Sequence, residues 1–283
     1  MQSIKILIKE RLPIVPNLIL AVGLMFSAYA ISNQALNVFN FMVGVFALFL
    51  FVSELRFMDE LKDVEKDLIA NPDRPLPRKA ITEAQVLNII LATGVVLALF
   101  NVGSFILSKA SGVLLLIALI WLFLMYREFF VGLWLSSRPM LYAISHQIVI
   151  FPLCLFAVAL FNADLVSSSE GYAFGLLILS AFFSFEIGRK LDPNAHEVLK
   201  TYLRVYGPKK VTVFICILQA LAITAGIYLS MFWWVFVPAA LILLTLPKLF
   251  KAPHEYKKLE GLISLNLIYT VWAPAIHYFV EKL

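Results

Sequence analysis

Nine windows of about 20 predominantly apolar residues follow one another along the chain, the length an α-helix needs to cross a bilayer's hydrocarbon. They lie near 12–32, 35–55, 84–107, 111–127, 139–161, 172–188, 211–229, 231–247 and 261–280. Backbone polar groups in lipid must be satisfied within the segment, which leaves helices as the form such runs take. The predicted fold is therefore all-α: a polytopic membrane bundle of about nine transmembrane helices. Only 14% of the 283 residues are charged, where soluble domains carry roughly a quarter. No Gly/Ser or Pro-rich linker divides the chain, so 1–283 is expected to form a single integral membrane domain. The first window continues to about Ile31 with no small-residue cleavage site, which argues against a cleavable signal. Cys154 and Cys216 both stand in apolar runs and are expected to be core residues rather than a disulfide or metal pair.

A net charge of +5 raises nucleic acid as a partner, but in a membrane protein the position of charge decides more than its sum. With the N-terminus in the cytoplasm and the spans alternating, Lys109 and Lys282 are the only basic residues of 23 to fall outside. This predicts N-terminus in and C-terminus out, with the lipid bilayer as partner and no nucleic acid. Two inside loops, roughly Arg56–Thr82 and Arg189–Lys210, are long and charged, whereas the outside connections are short and nearly bare. Chemistry is expected on the cytoplasmic face.

The first of these loops contains MDELKDVEKDLIANPDRPLP, Met58 to Pro77. Asp59, Asp63 and Asp67 are spaced by four and share a face on a helix continuing the second span, with Glu60 about 100° round. Clustered carboxylates repel one another near a membrane unless a cation neutralises them. Mg²⁺ suits such a set, because it takes oxygen ligands and is shared between one or two carboxylates and a substrate phosphate. The plainer alternative is a solvated helix end in which Asp59 pairs with Lys62 and Asp63 with Lys66. The next residues tip the balance: the stiff turn Asn71–Lys79 sets Arg74, Arg78 and Lys79 beside the acids. A metal with a fixed guanidinium is a device for holding a diphosphate leaving group.

With Asp59-Glu60-x-x-Asp63-x-x-x-Asp67 followed by Asn71-Pro-Asp-Arg74-Pro-Leu-Pro, the chain resembles the UbiA superfamily of intramembrane prenyltransferases. That family's first signature is Asn-Asp-x-x-Asp-x-x-x-Asp, then an Arg-Pro-Leu-Pro-type turn. The resemblance implies an all-α membrane bundle of nine spans around a central cavity, with the active site between the second and sixth spans and the loops after them. It also implies a second aspartate-rich motif that binds a second magnesium. Here the end of the sixth span reads FFSFEIGRKLDPNAHEVLKTYLRVYG, Phe182 to Gly207. Glu186 can ligate a metal, but Arg189 and Lys190 stand where a second acid is expected. On a continuous helix Asp192 lies about 240° from the face of Glu186, so the two converge only if the helix breaks before Pro193. Arg189 and Lys190 are candidates to bind diphosphate directly. His196 and Glu197 read as solvated loop residues.

Arg127, at the end of the fourth span, is a further diphosphate candidate. Asn17, Tyr126, Tyr142 and His146 are candidates for the cavity wall or the acceptor side, because polar groups within spans are costly and aromatic faces stabilise cations. The basic stretch Lys248–Lys258 reads as an interfacial loop. The resemblance thus implies a Mg²⁺-dependent prenyltransferase of the bacterial inner (plasma) membrane. It would ionise an isoprenyl diphosphate and transfer the prenyl group to a hydrophobic acceptor, namely an aromatic, quinone-precursor or lipid group. Asp63, Asp67 and Glu186 would be catalytic. Asp59, Glu60, Asp63, Asp67, Glu186 and Asp192 would be available to metal, and Arg74, Arg127, Arg189 and Lys190 to phosphate. Two alternatives stand beside it: a terpene cyclase that uses the same ionisation without an acceptor, and a non-enzymatic membrane protein or transporter.

Overall fold

The computed structural model describes residues 2–282, and nine helical segments among them are long and apolar enough to cross a membrane. A short amphipathic helix α1 (Gln2–Arg11) precedes the first span, α2 (Ile14–Ser32). The second span α3 (Val38–Lys62) leads into a short helix α4 (Val64–Ala70). Spans three and four are α5 (Glu83–Leu107) and α6 (Lys109–Tyr126). After the short α7 (Gly132–Ser136), the fifth span is built from α8 (Pro139–Gln147) and α9 (Ile150–Ala159). Then come α10 (Ser169–Gly188) and α11 (Tyr202–Tyr228). The eighth span joins α12 (Phe232–Thr245) to α13 (Lys248–Lys251), and α14 (Tyr256–Glu281) is the ninth.

The helices start where capping chemistry is encoded. Thr82 and Gln85 form a reciprocal capping box at α5 (3.3 and 3.1 Å), and Ser168 caps α10 by accepting from Gly171 N–H at 3.0 Å. The windows of the sequence are recovered, with three informative extensions. The α3 helix runs seven residues past its apolar window and ends at Lys62, carrying charged side chains beyond the hydrocarbon on a rigid rod. The α11 helix starts at Tyr202 and turns at Gly207-Pro208, where Gly207 has φ +71° and ψ 168°; only glycine adopts that region without strain. Finally, α14 begins at Tyr256, inside the stretch expected to be an interfacial loop.

Contacts run α2–α3–α5–α6–α9–α10–α11–α12–α14 and return from α14 to α2, so the bundle closes on itself. The most enclosed span is α10 and the least is α5. Large apolar side chains such as Ile106, Leu244 and Leu265 point outward, which in lipid carries none of the penalty it would in water. Cys154 is buried as expected, whereas Cys216 faces outward from α11: the helix is apolar all round, so composition does not say which side meets lipid.

At the closing seam Ser27 Oγ donates to the Val271 carbonyl (2.7 Å) and accepts from Ala275 N–H (3.3 Å). It thereby bridges an i, i+4 pair of α14 opened beside Pro274. Gly23 belongs to the same seam: a Cβ there would lie 2.4 Å from Trp272 Nε1, and that indole is fixed by donating to the Ile19 carbonyl at 3.2 Å. Gly23→Ala must displace a rigid ring. Its expected cost is about 1–3 kcal/mol, read as a lowered thermal midpoint in detergent.

Candidate active site

The two charged loops fold toward each other at one end of the bundle, where α4 packs against a single 3-10 turn at Glu197–Leu199. The first rim is the end of α3 with α4 and the turn after it. Backbone bonds from Asp63 N–H to the Asp59 carbonyl (3.0 Å) and from Asp67 N–H to the Asp63 carbonyl (2.8 Å) keep the four-residue spacing in register. The helix nevertheless breaks at Asp63 (φ −96°, ψ 8°), so the acids do not share one straight face.

Their surroundings differ sharply. The Glu60 side chain is buried and bonded to Arg11, which fastens α1 beneath α3. Asp67 is buried too, accepting from Arg74 (2.5 Å) and from the Asn71 amide (2.9 Å); it fixes the Pro-Asp-Arg-Pro turn. Asp59 and Asp63 remain about one-third exposed, each with one longer contact to a lysine, Lys62 at 3.3 Å and Lys66 at 3.2 Å. These are the pairs that the solvated-end alternative anticipates. Burial works against the charge on Lys66, but Asp63, Tyr142 and Glu128 together raise the ammonium's pKa. Arg78 leaves the rim for Glu10 on α1, with contacts of 2.8 and 2.9 Å.

The second rim is the end of α10. Glu186 is buried, and both its oxygens are committed: Oε2 accepts from Arg189 Nη2 (2.5 Å) and Nε (2.6 Å), and Oε1 from Lys190 Nζ (2.6 Å). Asp192 does not turn back toward it. The helix does break before Pro193, ending at Gly188, but Asp192 Oδ1 accepts from Asn194 N–H at 2.9 Å and the side chain faces Tyr256. His196 and Glu197 are loop residues, with Glu197 paired to Arg204. The rims communicate through Arg189. Burial alone lowers its pKa, but Glu186 from its own rim and Asp59 from the other raise it overall.

Between the rims stands a polar and aromatic wall. Tyr142 stacks on His146 with ring centroids 4.0 Å apart, and Lys62 Nζ lies 5.6 Å from the Tyr142 ring centre. His146 Nδ1 contacts the Tyr142 carbonyl at 2.8 Å, leaving Nε2 buried with no partner among the described residues; Asn17 Nδ2 is in the same condition. Tyr126 and Arg127 line a cleft of about 570 Å³ with Lys62, Lys66 and Glu128. Sequence reasoning passed over Arg56. It sits one helical turn before Asp59, among Arg189, Asp59, Arg11 and Glu186, and no ion pair or hydrogen bond engages its side chain among the described residues. The available signal was a guanidinium within the continuous helix of a span, where charge is expensive.

The donor chemistry can be tested against a magnesium ion. No three acidic, histidine or cysteine side chains come together as a metal-holding set among the described residues. Asp59 and Asp63 nonetheless fit Mg²⁺, which needs one or two carboxylates and completes its shell with phosphate and water. Glu60, Asp67 and Glu186 are already occupied by cations.

The chain is similar in structure to a digeranylgeranylglyceryl phosphate synthase (TM-score 0.68, 17% identity, covering 98% of this chain and 100% of that one). It is likewise similar to a UbiA homologue from Aeropyrum pernix K1 (TM-score 0.65, 16% identity, 95% and 99% covered). None of the curated proteins matches it in sequence. The sequence pattern of the UbiA prenyltransferase family matches residues 18–257, which takes in both rims and all of the spans between them. The chain is an integral, multi-pass membrane protein that belongs to the UbiA prenyltransferase family.

Proposed function

We propose that the protein is a Mg²⁺-dependent prenyltransferase that ionises an isoprenyl diphosphate and passes the prenyl group to a hydrophobic acceptor. The observation that carries this reading is the meeting of the two rims, where α4 packs against the Glu197–Leu199 turn and brings the acids after α3 to the end of α10 that carries Arg189 and Lys190. Asp59 and Asp63 hold the metal. When bound, Mg²⁺ supplies positive charge that offsets the charge gathering on the departing diphosphate. Arg189 and Lys190 take the phosphate oxygens, and Arg127 meets them from the cleft side. Asp67 acts indirectly by holding Arg74 in the turn.

The prenyl tail lies among the apolar spans. The C1–O bond breaks and the diphosphate leaves with the electron pair. The acceptor then bonds to C1 and loses a proton, for which Nε2 of His146 is the receiver. Water exclusion by the two packed loops protects the allylic cation from hydrolysis, and the faces of Tyr142 and Tyr126 favour it electrostatically. The acceptor class is an aromatic, quinone-precursor or lipid group. The chain works as one domain, with its N-terminus and both rims in the cytoplasm, because the basic residues gather at that end; a bacterial inner membrane suits this arrangement.

The test is to incubate purified protein with geranylgeranyl or farnesyl diphosphate, Mg²⁺ and a lipid extract, and to follow products by mass spectrometry. A prenylated species that is missing with Asp63→Asn is the expected result. A cyclic hydrocarbon formed from the diphosphate alone would replace transfer by cyclisation, and inert diphosphate under every condition would remove the enzymatic reading.

A further inference from the structure

The charges enclosed between the rims do not balance. Arg56, Lys62, Lys66, Arg189 and Lys190 face Asp59, Asp63 and Glu186, while Arg11 and Glu60 cancel each other, leaving the group about two positive charges in excess. Excess cations at a membrane's edge are costly unless an anion or water completes them. The surplus can be located. Lys62 has Asp59, while Arg189 and Lys190 share Glu186 through three contacts of 2.5–2.6 Å. Arg56 has no such partner among the described residues.

Glu186 is equally constrained. A metal bound there would have to displace Arg189 from one oxygen of the buried carboxylate and Lys190 from the other, leaving two half-buried cations without their partner. The ion would have to outcompete a guanidinium held by two contacts and an ammonium held by one, all on the same buried carboxylate. A phosphate oxygen faces no such competition. It can accept the remaining N–H groups of Arg189 and Lys190 while both keep Glu186, because guanidinium has five donors and ammonium three.

Resting on the prenyl diphosphate reading, we infer that the second rim binds the diphosphate without a metal. Glu186 is a positioning residue that aims Arg189 and Lys190, and Arg56 is the further diphosphate-binding residue, a cation that no carboxylate among the described residues pairs with. The site is asymmetric: carboxylates and an ion on the α3 side, fixed cations on the α10 side. The diphosphate bridges them.

The two sides respond differently to the same probe, purified full-length protein in detergent titrated with Mn²⁺ and inorganic pyrophosphate. Electron paramagnetic resonance should count one Mn²⁺ per chain in the presence of pyrophosphate. Glu186→Gln should leave Mn²⁺ affinity within about 3-fold while weakening pyrophosphate. Arg56→Gln should weaken pyrophosphate by at least about 10-fold, equivalent to about 1.4 kcal/mol. Its thermal midpoint without ligand should not fall, because an uncompensated cation has been removed; Arg56→Lys should recover part of the affinity. Two Mn²⁺ per chain, or one lost with Glu186→Gln, overturns the inference while leaving the prenyl diphosphate reading standing. An Arg56→Gln protein that melts lower and binds pyrophosphate normally makes Arg56 a structural residue and also overturns it. If the wild type binds no pyrophosphate with or without Mn²⁺, the broader reading falls as well.

Discussion

Asparagine at position 63 is expected to lower the rate of prenyl transfer by at least about 10²-fold with little loss of stability. The size reflects what is weakened: the hold on the Mg²⁺ whose positive charge would offset the negative charge gathering on the diphosphate, and one such preorganised electrostatic contact is commonly worth roughly 10² to 10³ in rate. Stability should hold because Asp63 is one-third exposed and its partner Lys66 is more exposed still; a pair of that kind contributes only about 0–1 kcal/mol. Turnover of a radiolabelled allylic diphosphate, together with the thermal midpoint, checks both halves. Raised Mg²⁺ should recover part of the activity, because affinity for the ion is lost along with catalysis. A variant with normal turnover would show that Asp63 is only half of a surface ion pair.

Arg11→Met should produce the opposite pattern, a large loss of stability at a position far along the chain from the site. Its partner Glu60 has a side chain 1% exposed, against 22% for Arg11. Cutting the arginine back leaves a carboxylate stranded against the apolar layer formed by Leu7, Phe57 and Ile81. A stranded buried charge of this kind costs about 3–5 kcal/mol, and the partial exposure of Arg11 argues for the lower end. The double variant Arg11→Met/Glu60→Met should recover most of the loss, since paired removal of a buried ion pair is often neutral. Thermal unfolding in detergent of the two variants beside the wild type measures the difference. If the double variant melts no higher than the single one, Glu60 has a role beyond fastening α1, and its place among metal ligands would have to be reconsidered.

These two variants show why adjacent residues of one acidic motif separate so widely. In the sequence Asp59, Glu60, Asp63 and Asp67 are equivalent carboxylates near a membrane. In the fold α1 tucks under the end of α3 and takes Glu60, the proline turn returns Arg74 to Asp67, and only Asp59 and Asp63 stay open to the rim. The same holds on the other side, where Arg189 and Lys190 were legible as candidates for phosphate but their joint hold on Glu186 was not. Arg56 stood in the sequence only as the first residue of a charged loop, and that it lacks a carboxylate partner among the described residues is visible only in the fold.

What the sequence determined unaided are the properties set by neighbours along the chain. The number of spans follows from the length of each apolar run, and helix starts follow from capping residues such as Thr82 and Ser168. The acidic spacing is likewise a local matter of helical geometry. What only the tertiary structure decided is the electrostatic condition of each charged group. Whether a carboxylate is free, fastened or buried depends on cations far along the chain, 49 residues away for Glu60 and Arg11 and 68 for Glu10 and Arg78, and Coulomb energy depends on distance in space and local polarity rather than on position in the chain.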